Sequence, residues 1–423
     1  MARAVLTRRR LLTGGAIGAG AFALGYVGVQ HWRERTQRWP AVVREVPPPA
    51  GAGTRLPRLA AHPDGGCVLS WVERVGQTHA LRCARFDGDG WHAATEVARG
   101  ERWFINWIDF PSVVPIDRDF WLAHWLRRRE GGGGYDYEVA LALSNDGGRT
   151  WRPAGKPHSS EAPAEYGFAS IFPDGDAAGI VWLDGRDYVR ASERHLHPEK
   201  SGNFALRATR VTRDGRIEPD RVLDASVCTC CQTAAAVADG VPLVAYRART
   251  DAEVRDNKLV RRVAGEWSTP VDLGTEGWTI AACPTNGPAL AARGQRVIAA
   301  WFTAAQDRPR VRAALSADRG VNWGGAIDLD ADAPIGRLGA AWLDDERVAV
   351  CWIGAPRQRR APLYLVLLDV RGRELARSAI AQVAASRDSG VPQLASLRGR
   401  LLAAWTEPGP EFGIHVTEFA ARS

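Results

Sequence analysis

Three features of the 423-residue sequence predict an all-β chain folded as a single β-propeller of seven four-stranded blades. First, a run of small and β-branched residues ending in an aromatic recurs. The copies are "CVLSWVE" (Trp71), "FWLAHWL" (Trp125), "GIVWLDGR" (Trp182), "PLVAYRA" (Tyr246), "VIAAWFT" (Trp301), "VAVCWIG" (Trp352) and "LLAAWTE" (Trp405). Consecutive aromatics lie 54, 57, 64, 55, 51 and 53 residues apart. Second, each copy follows a short apolar strand and a turn, such as "RLAAHPDG" or "ALAARGQ", and precedes a third strand and usually a fourth. Third, the last repeat, "GVPQLASLRGRLLAAWTEPGPEFGIHVTEF", stops after three strands, while "AVVREV" (Ala41–Val46) ahead of the first repeat resembles the fourth strands elsewhere. That segment is expected to complete the last blade, so that the ring closes without an open sheet edge.

The chain opens "MARAVLTRRRLLTGGAIGAGAFALGYVGVQHW", in which Thr7 to Leu12 resembles the twin-arginine export signal. Residues 1–30 read as that signal or as a short membrane anchor, 31–56 as a linker with the ring-closing strand, and 57–423 as the propeller. Either way the body is expected in the periplasm or outside the cell, as a monomer. Net charge is +7 and arginine far outnumbers lysine, which suits carboxylate or phosphate ligands. No basic and aromatic nucleic-acid module is present, and neither is a phosphate loop, a G-x-S-x-G elbow or an H-E-x-x-H helix.

"SNDGGRTW" (Ser144 to Trp151) and "SADRGVNW" (Ser316 to Trp323) both fit S-x-D-x-G-x-x-W at the same place in their repeats. This resembles the Asp-box of sialidases and related BNR-repeat proteins. The resemblance covers roughly residues 41–420 and implies a propeller whose site lies on the face opposite the boxes. It also implies a glycoside hydrolase that grips an anionic sugar with arginines and uses carboxylate and Tyr/Glu chemistry. Sialidases have six blades, the alternative to the count of seven. Their F/Y-R-I-P segment does not appear here.

Propeller topology gathers two loops per blade on one face around the channel. On that face the sequence places Asp187 and Asp256 as proton-donor candidates, and Arg186, Arg247, Arg255, Arg337, Trp107, Trp278 and Asn286 as candidates for binding an anionic glycan or small molecule. "SVCTCCQT" enters the inner strand of the fourth blade and "GWTIAACPTNGP" that of the fifth. Cys228, Cys230, Cys231 and Cys283 are therefore expected to converge at the channel mouth. Two chemistries remain open there: disulfides, which export favours, or a thiolate site for copper or zinc. Cys67 and Cys83 are expected opposite each other across a hairpin, either bridged or as buried free thiols; Cys351 reads as a core thiol. His195 and His197 read as a solvated loop or as extra metal ligands, and His124 as structural. Three functions follow: a sialidase-type hydrolase, a non-catalytic propeller binding an acidic carbohydrate or protein, and a metal-binding or redox propeller.

Overall fold

The computed structural model describes residues 41–189, 195–196, 201–407 and 413–420. The signal region and His197 lie outside them. Seven antiparallel sheets follow one another along the chain. Blade 1 comprises Arg55–Ala61, Cys67–Val75, Thr78–Phe86 and Thr95–Gly100, and blade 2 comprises Ser112–Pro115, Trp121–Arg128, Tyr137–Ser144 and Arg152–Gly155. Blade 3 is Tyr166–Asp174, Ala177–Asp184, Phe204–Val211 and Arg221–Val227. Blade 4 is Ala234–Ala238, Val241–Arg247 and Asn257–Val263, edged by two short pieces, Glu266–Trp267 and Val271–Asp272. Pro270, which has no N–H for the ladder, falls between those pieces. Blade 5 runs Ala289–Arg293, Arg296–Thr303, Arg310–Ser316 and Ile327–Asp330, and blade 6 Gly336–Trp342, Arg347–Ile353, Arg360–Asp369 and Glu374–Ala384. In blade 7, Gln393–Leu397, Arg400–Glu407 and Gly413–Ala420 are joined by Ala41–Glu45, which pairs antiparallel with the last of them, Ala41 opposite Ala420. Among the described residues no helix is long and apolar enough to cross a membrane.

The core is a set of wedges between neighbouring blades rather than one central mass. Seven apolar clusters occupy the seven blade interfaces, the one between blades 7 and 1 included. Most of the recurring aromatics fill them: Trp71, Trp301 and Trp352 have no exposed surface, Tyr246 has 1% and Trp405 7%. Each such ring removes a large apolar area from water, which makes it the main adhesive of its interface. Trp125 alone stays half-buried, stacked on Trp103 with ring centroids 5.7 Å apart.

Both Asp-boxes form turns between third and fourth strands. Asp146 accepts from the amides of Arg149 and Thr150 at 3.0 and 2.9 Å and from Ser144 Oγ at 2.7 Å. Asp318 does the same with Val321, Asn322 and Ser316. Gly148 and Gly320 hold φ of +80° and +72°, a left-handed conformation that glycine adopts without strain.

One register differs from the sequence expectation. The hairpin of blade 1 turns on Gly76 and Gln77, pairing Val75 with Thr78, so Cys67 faces Phe86 and Cys83 faces Ser70. The two thiols are not opposite each other; both are free and buried. Cys351 is also a buried free thiol. His124 is fully buried, bonded to Ser112 Oγ through Nδ1 at 2.9 Å, and burial pushes its pKa down to about 3.

Candidate functional site

The inner strands surround a channel of about 770 Å³. Alanine is the commonest residue of its wall, which also carries Phe110, Phe172 and Trp342. Arg58, in the innermost strand of blade 1, is one of three arginines there, with Arg293 and Arg398. Its Nη1 donates to Gln393 Oε1 at 2.7 Å, and the guanidinium lies 5.8 Å from the Phe110 ring. No carboxylate of the described residues pairs with it, and burial pushes its pKa down to about 10. A recess of about 20 Å³ beside it is bordered by Asp109, Ser170, Gln232 and Thr233. Arg55, at the mouth end of the same strand, is exposed.

The arginines expected at the mouth mostly tie blades together. Arg247 is 2% exposed and donates to the carbonyls of Arg255, Asn286 and Phe302, joining blade 4 to blade 5. Its guanidinium lies 5.0 Å from the Trp278 ring, itself 6% exposed. Asn286 carries the tie onward: its Oδ1 accepts from Arg337 N at 2.7 Å and its Nδ2 donates to the carbonyl of Ile335. Arg337 donates to the Ser386 carbonyl and Ser389 Oγ, both at 2.8 Å, and lies over the Trp107 ring. Asp256 accepts from the amides of Gly277 and Trp278, and burial raises its pKa. Arg247, Arg255, Asp256, Trp278, Asn286, Arg337 and Trp107 thus form one belt. Arg186 stands apart from it, paired with Asp184 and Asp220 in blade 3; Asp187, half-buried, accepts from the Gly202 amide. His195 is exposed.

The cysteines do gather. Cys228 and Cys231 are buried and Cys230 is half-buried; the Cys228 sulfur lies 3.7 Å from that of Cys230 and 3.5 Å from that of Cys231. Arg255 reaches the Cys228 sulfur at 3.3 Å while its other nitrogens hold Glu253. Burial alone would raise the Cys228 pKa, but the neighbouring thiols and the Arg255 and Arg247 charges outweigh it and hold that thiol well below its ordinary value. Burial pushes Cys231 up to about 12. Cys283 is exposed and interacts with the Cys230 thiol, which brings its pKa down to about 6.

A second group went unnoticed in the sequence. Tyr137, fully buried and stacked on Phe104, has its hydroxyl 2.9 Å from Asp109 Oδ2 and 2.8 Å from Glu165 Oε1, so its single hydrogen goes to one carboxyl and it accepts from the other in its protonated form. Burial pushes Asp109 up to about 7 and Glu165 up to about 8, so both hold protons near neutral pH. Folded Asp109 keeps its proton between pH 4 and 7, where an unfolded aspartate has lost it. The folded state therefore binds more protons in that window, and stability falls as pH rises through it. Asp109→Asn, neutral throughout, is expected to flatten the fall in melting temperature from pH 4 to 7. An unchanged slope would show that Asp109 is ionised in the fold.

No protein-family model matches the chain, and no curated protein does. Solved structures do match. A protein of unknown function from Dyadobacter fermentans is 14% identical over 91% of this chain and 100% of its own, with a TM-score of 0.51. An ulvan lyase of the polysaccharide lyases, bound to -[GlcA(1-4)Rha3S]-, is 12% identical over 88% and 95%, with a TM-score of 0.53. The NanB sialidase of Streptococcus pneumoniae is 11% identical over 90% and 70%, with a TM-score of 0.45. The fold is that of a seven-bladed β-propeller, shared with the ulvan lyase. At such identities the likeness is one of fold, and chemistry has to be argued from the site. One local feature of this propeller was legible in the sequence. "TRLP" (Thr54 to Pro57) puts an arginine, an apolar residue and a proline at the start of the first inner strand, the order of an F/Y-R-I-P segment.

Proposed function

We propose that this chain is an exported carbohydrate-active propeller that takes the acidic group of an anionic saccharide at the channel, with Arg58 as its anchor. The observation that carries this reading is a half-buried guanidinium on the channel wall that no carboxylate of the described residues neutralises, facing a cavity large enough for a sugar ring. A cation held partly out of water without a counter-charge carries a cost that an anionic ligand relieves. Arg55, on the same strand at the mouth, adds a second positive charge to the approach. The saccharide carried by the ulvan lyase contains glucuronate, an acid that a guanidinium can grip with two parallel hydrogen bonds.

Cleavage is the finer reading. Glu165, protonated near neutral pH and bonded to Tyr137, is the group suited to deliver a proton to a leaving oxygen. The test is calorimetric binding of a glucuronate-containing oligosaccharide against its carboxyl-reduced counterpart. The acidic form is expected to bind and the reduced form to fail. Equal binding of both would remove Arg58 from recognition. New reducing ends in the same mixture would mark hydrolysis, and an unsaturated uronate would mark elimination.

A further inference from the structure

Cys228, Cys230 and Cys231 are called on by no step of the saccharide reading. Three thiols within four positions, all free, bring their sulfur atoms within 4.8 Å of one another. A loop between Val227 and the inner strand of blade 4 achieves this. The Cys228 amide donates to the Arg247 carbonyl at 2.9 Å, which pins the first thiol, and the chain then folds back so that the other two return to it.

The spacing distinguishes between bonding types. A disulfide needs sulfur atoms about 2.05 Å apart, and the observed separations are 3.5 and 3.7 Å. Ligands about 2.3 Å from a tetrahedral ion lie about 3.8 Å from one another. Two edges of the trio are therefore close to that length, and the third lies within 4.8 Å. Charge agrees with this arrangement. Three thiolates around a monovalent or divalent ion leave net negative charge, and Arg255, 3.3 Å from the Cys228 sulfur, lies where it offsets that excess. Access is also provided, because Cys230 is half-buried.

We propose that Cys228, Cys230 and Cys231 form a binding site for a soft, thiophilic metal ion, copper(I) or zinc(II), at the channel mouth. An all-sulfur donor set without histidine or carboxylate selects such ions over magnesium, calcium or manganese. The site does not depend on the saccharide reading and stands or falls separately.

The test is metal analysis of the full-length exported protein together with anaerobic titration of the reduced protein. Copper(I) is offered in competition with bicinchoninate, and zinc(II) in competition with a chromophoric chelator. The expected result is one ion per chain withdrawn from the chelator, with Cys230→Ser losing the ion while its far-ultraviolet spectrum and melting temperature stay close to wild type. The arm that succeeds names the metal. X-ray absorption on the wild-type complex gives an independent reading should the variant fold poorly, and about three sulfur ligands near 2.3 Å are expected. Failure of the reduced protein to withdraw either ion overturns the proposal. So does mass spectrometry showing the trio in the exported protein joined by disulfides.

Discussion

Arg247→Ala is expected to destabilise the propeller by about 3 kcal/mol or more, since each buried carbonyl left without its donor costs about 1–3 kcal/mol. Three carbonyls, those of Arg255, Asn286 and Phe302, lose the same side chain together. The Trp278 ring loses the cation packed on its face. Domains are stable by only about 5–15 kcal/mol, so the loss is a large fraction of the whole. Arg247→Lys should recover part of it, because an ammonium is one point donor where a guanidinium is a fork. Urea unfolding monitored by tryptophan fluorescence measures the midpoint of each variant. A wild-type midpoint for Arg247→Ala would mean that the belt between blades 4 and 5 contributes nothing.

Arg58→Gln is expected to act in the opposite sense on stability. Its guanidinium is half-buried with an amide oxygen as its hydrogen-bonded partner and no neutralising carboxylate among the described residues, and desolvation lowers its pKa to about 10, which marks the cation as disfavoured there. A neutral amide of similar reach is expected to leave the melting temperature unchanged or higher. Affinity for the acidic saccharide should meanwhile fall, because removing one partner of a buried charge pair costs about 2–5 kcal/mol, or about 30-fold and upward in Kd. Stability withheld at a binding site and recovered when that site is lost is the pattern of a functional residue. A surface arginine such as Arg221, paired only with exposed Glu266, is expected to show neither change.

The seven-blade count was legible because each blade repeats one aromatic wedge, and a wedge is needed at every interface. Convergence of the cysteines was legible for the same reason: loops that enter inner strands of neighbouring blades meet on one face. What a side chain does after reaching that face was not legible. Arg247 and Arg337 look in sequence like ligand-binding arginines, yet they satisfy backbone carbonyls of the next blade, partners some 40 to 55 positions away. Arg58 was overlooked because it sits in the middle of an inner strand, "RLPRLAA", where nothing in the local sequence separates a channel-facing charge from a strand-end one such as Arg293 in "ALAAR". The Tyr137, Asp109 and Glu165 network had none, its members coming from three separate segments. The Cys67 and Cys83 pairing failed on a turn of two residues, where a small change in the hairpin centre moves every partner.

The measurement that tests the central claim most directly is a side-by-side calorimetric titration of a glucuronate-containing oligosaccharide into the wild-type protein and into Arg58→Gln, with melting temperatures taken on the same samples. The account predicts saturable binding to the wild type and at least about 30-fold weaker binding to a variant that melts no lower. Equal affinity for the two proteins would contradict it and would place the acidic group somewhere other than the channel.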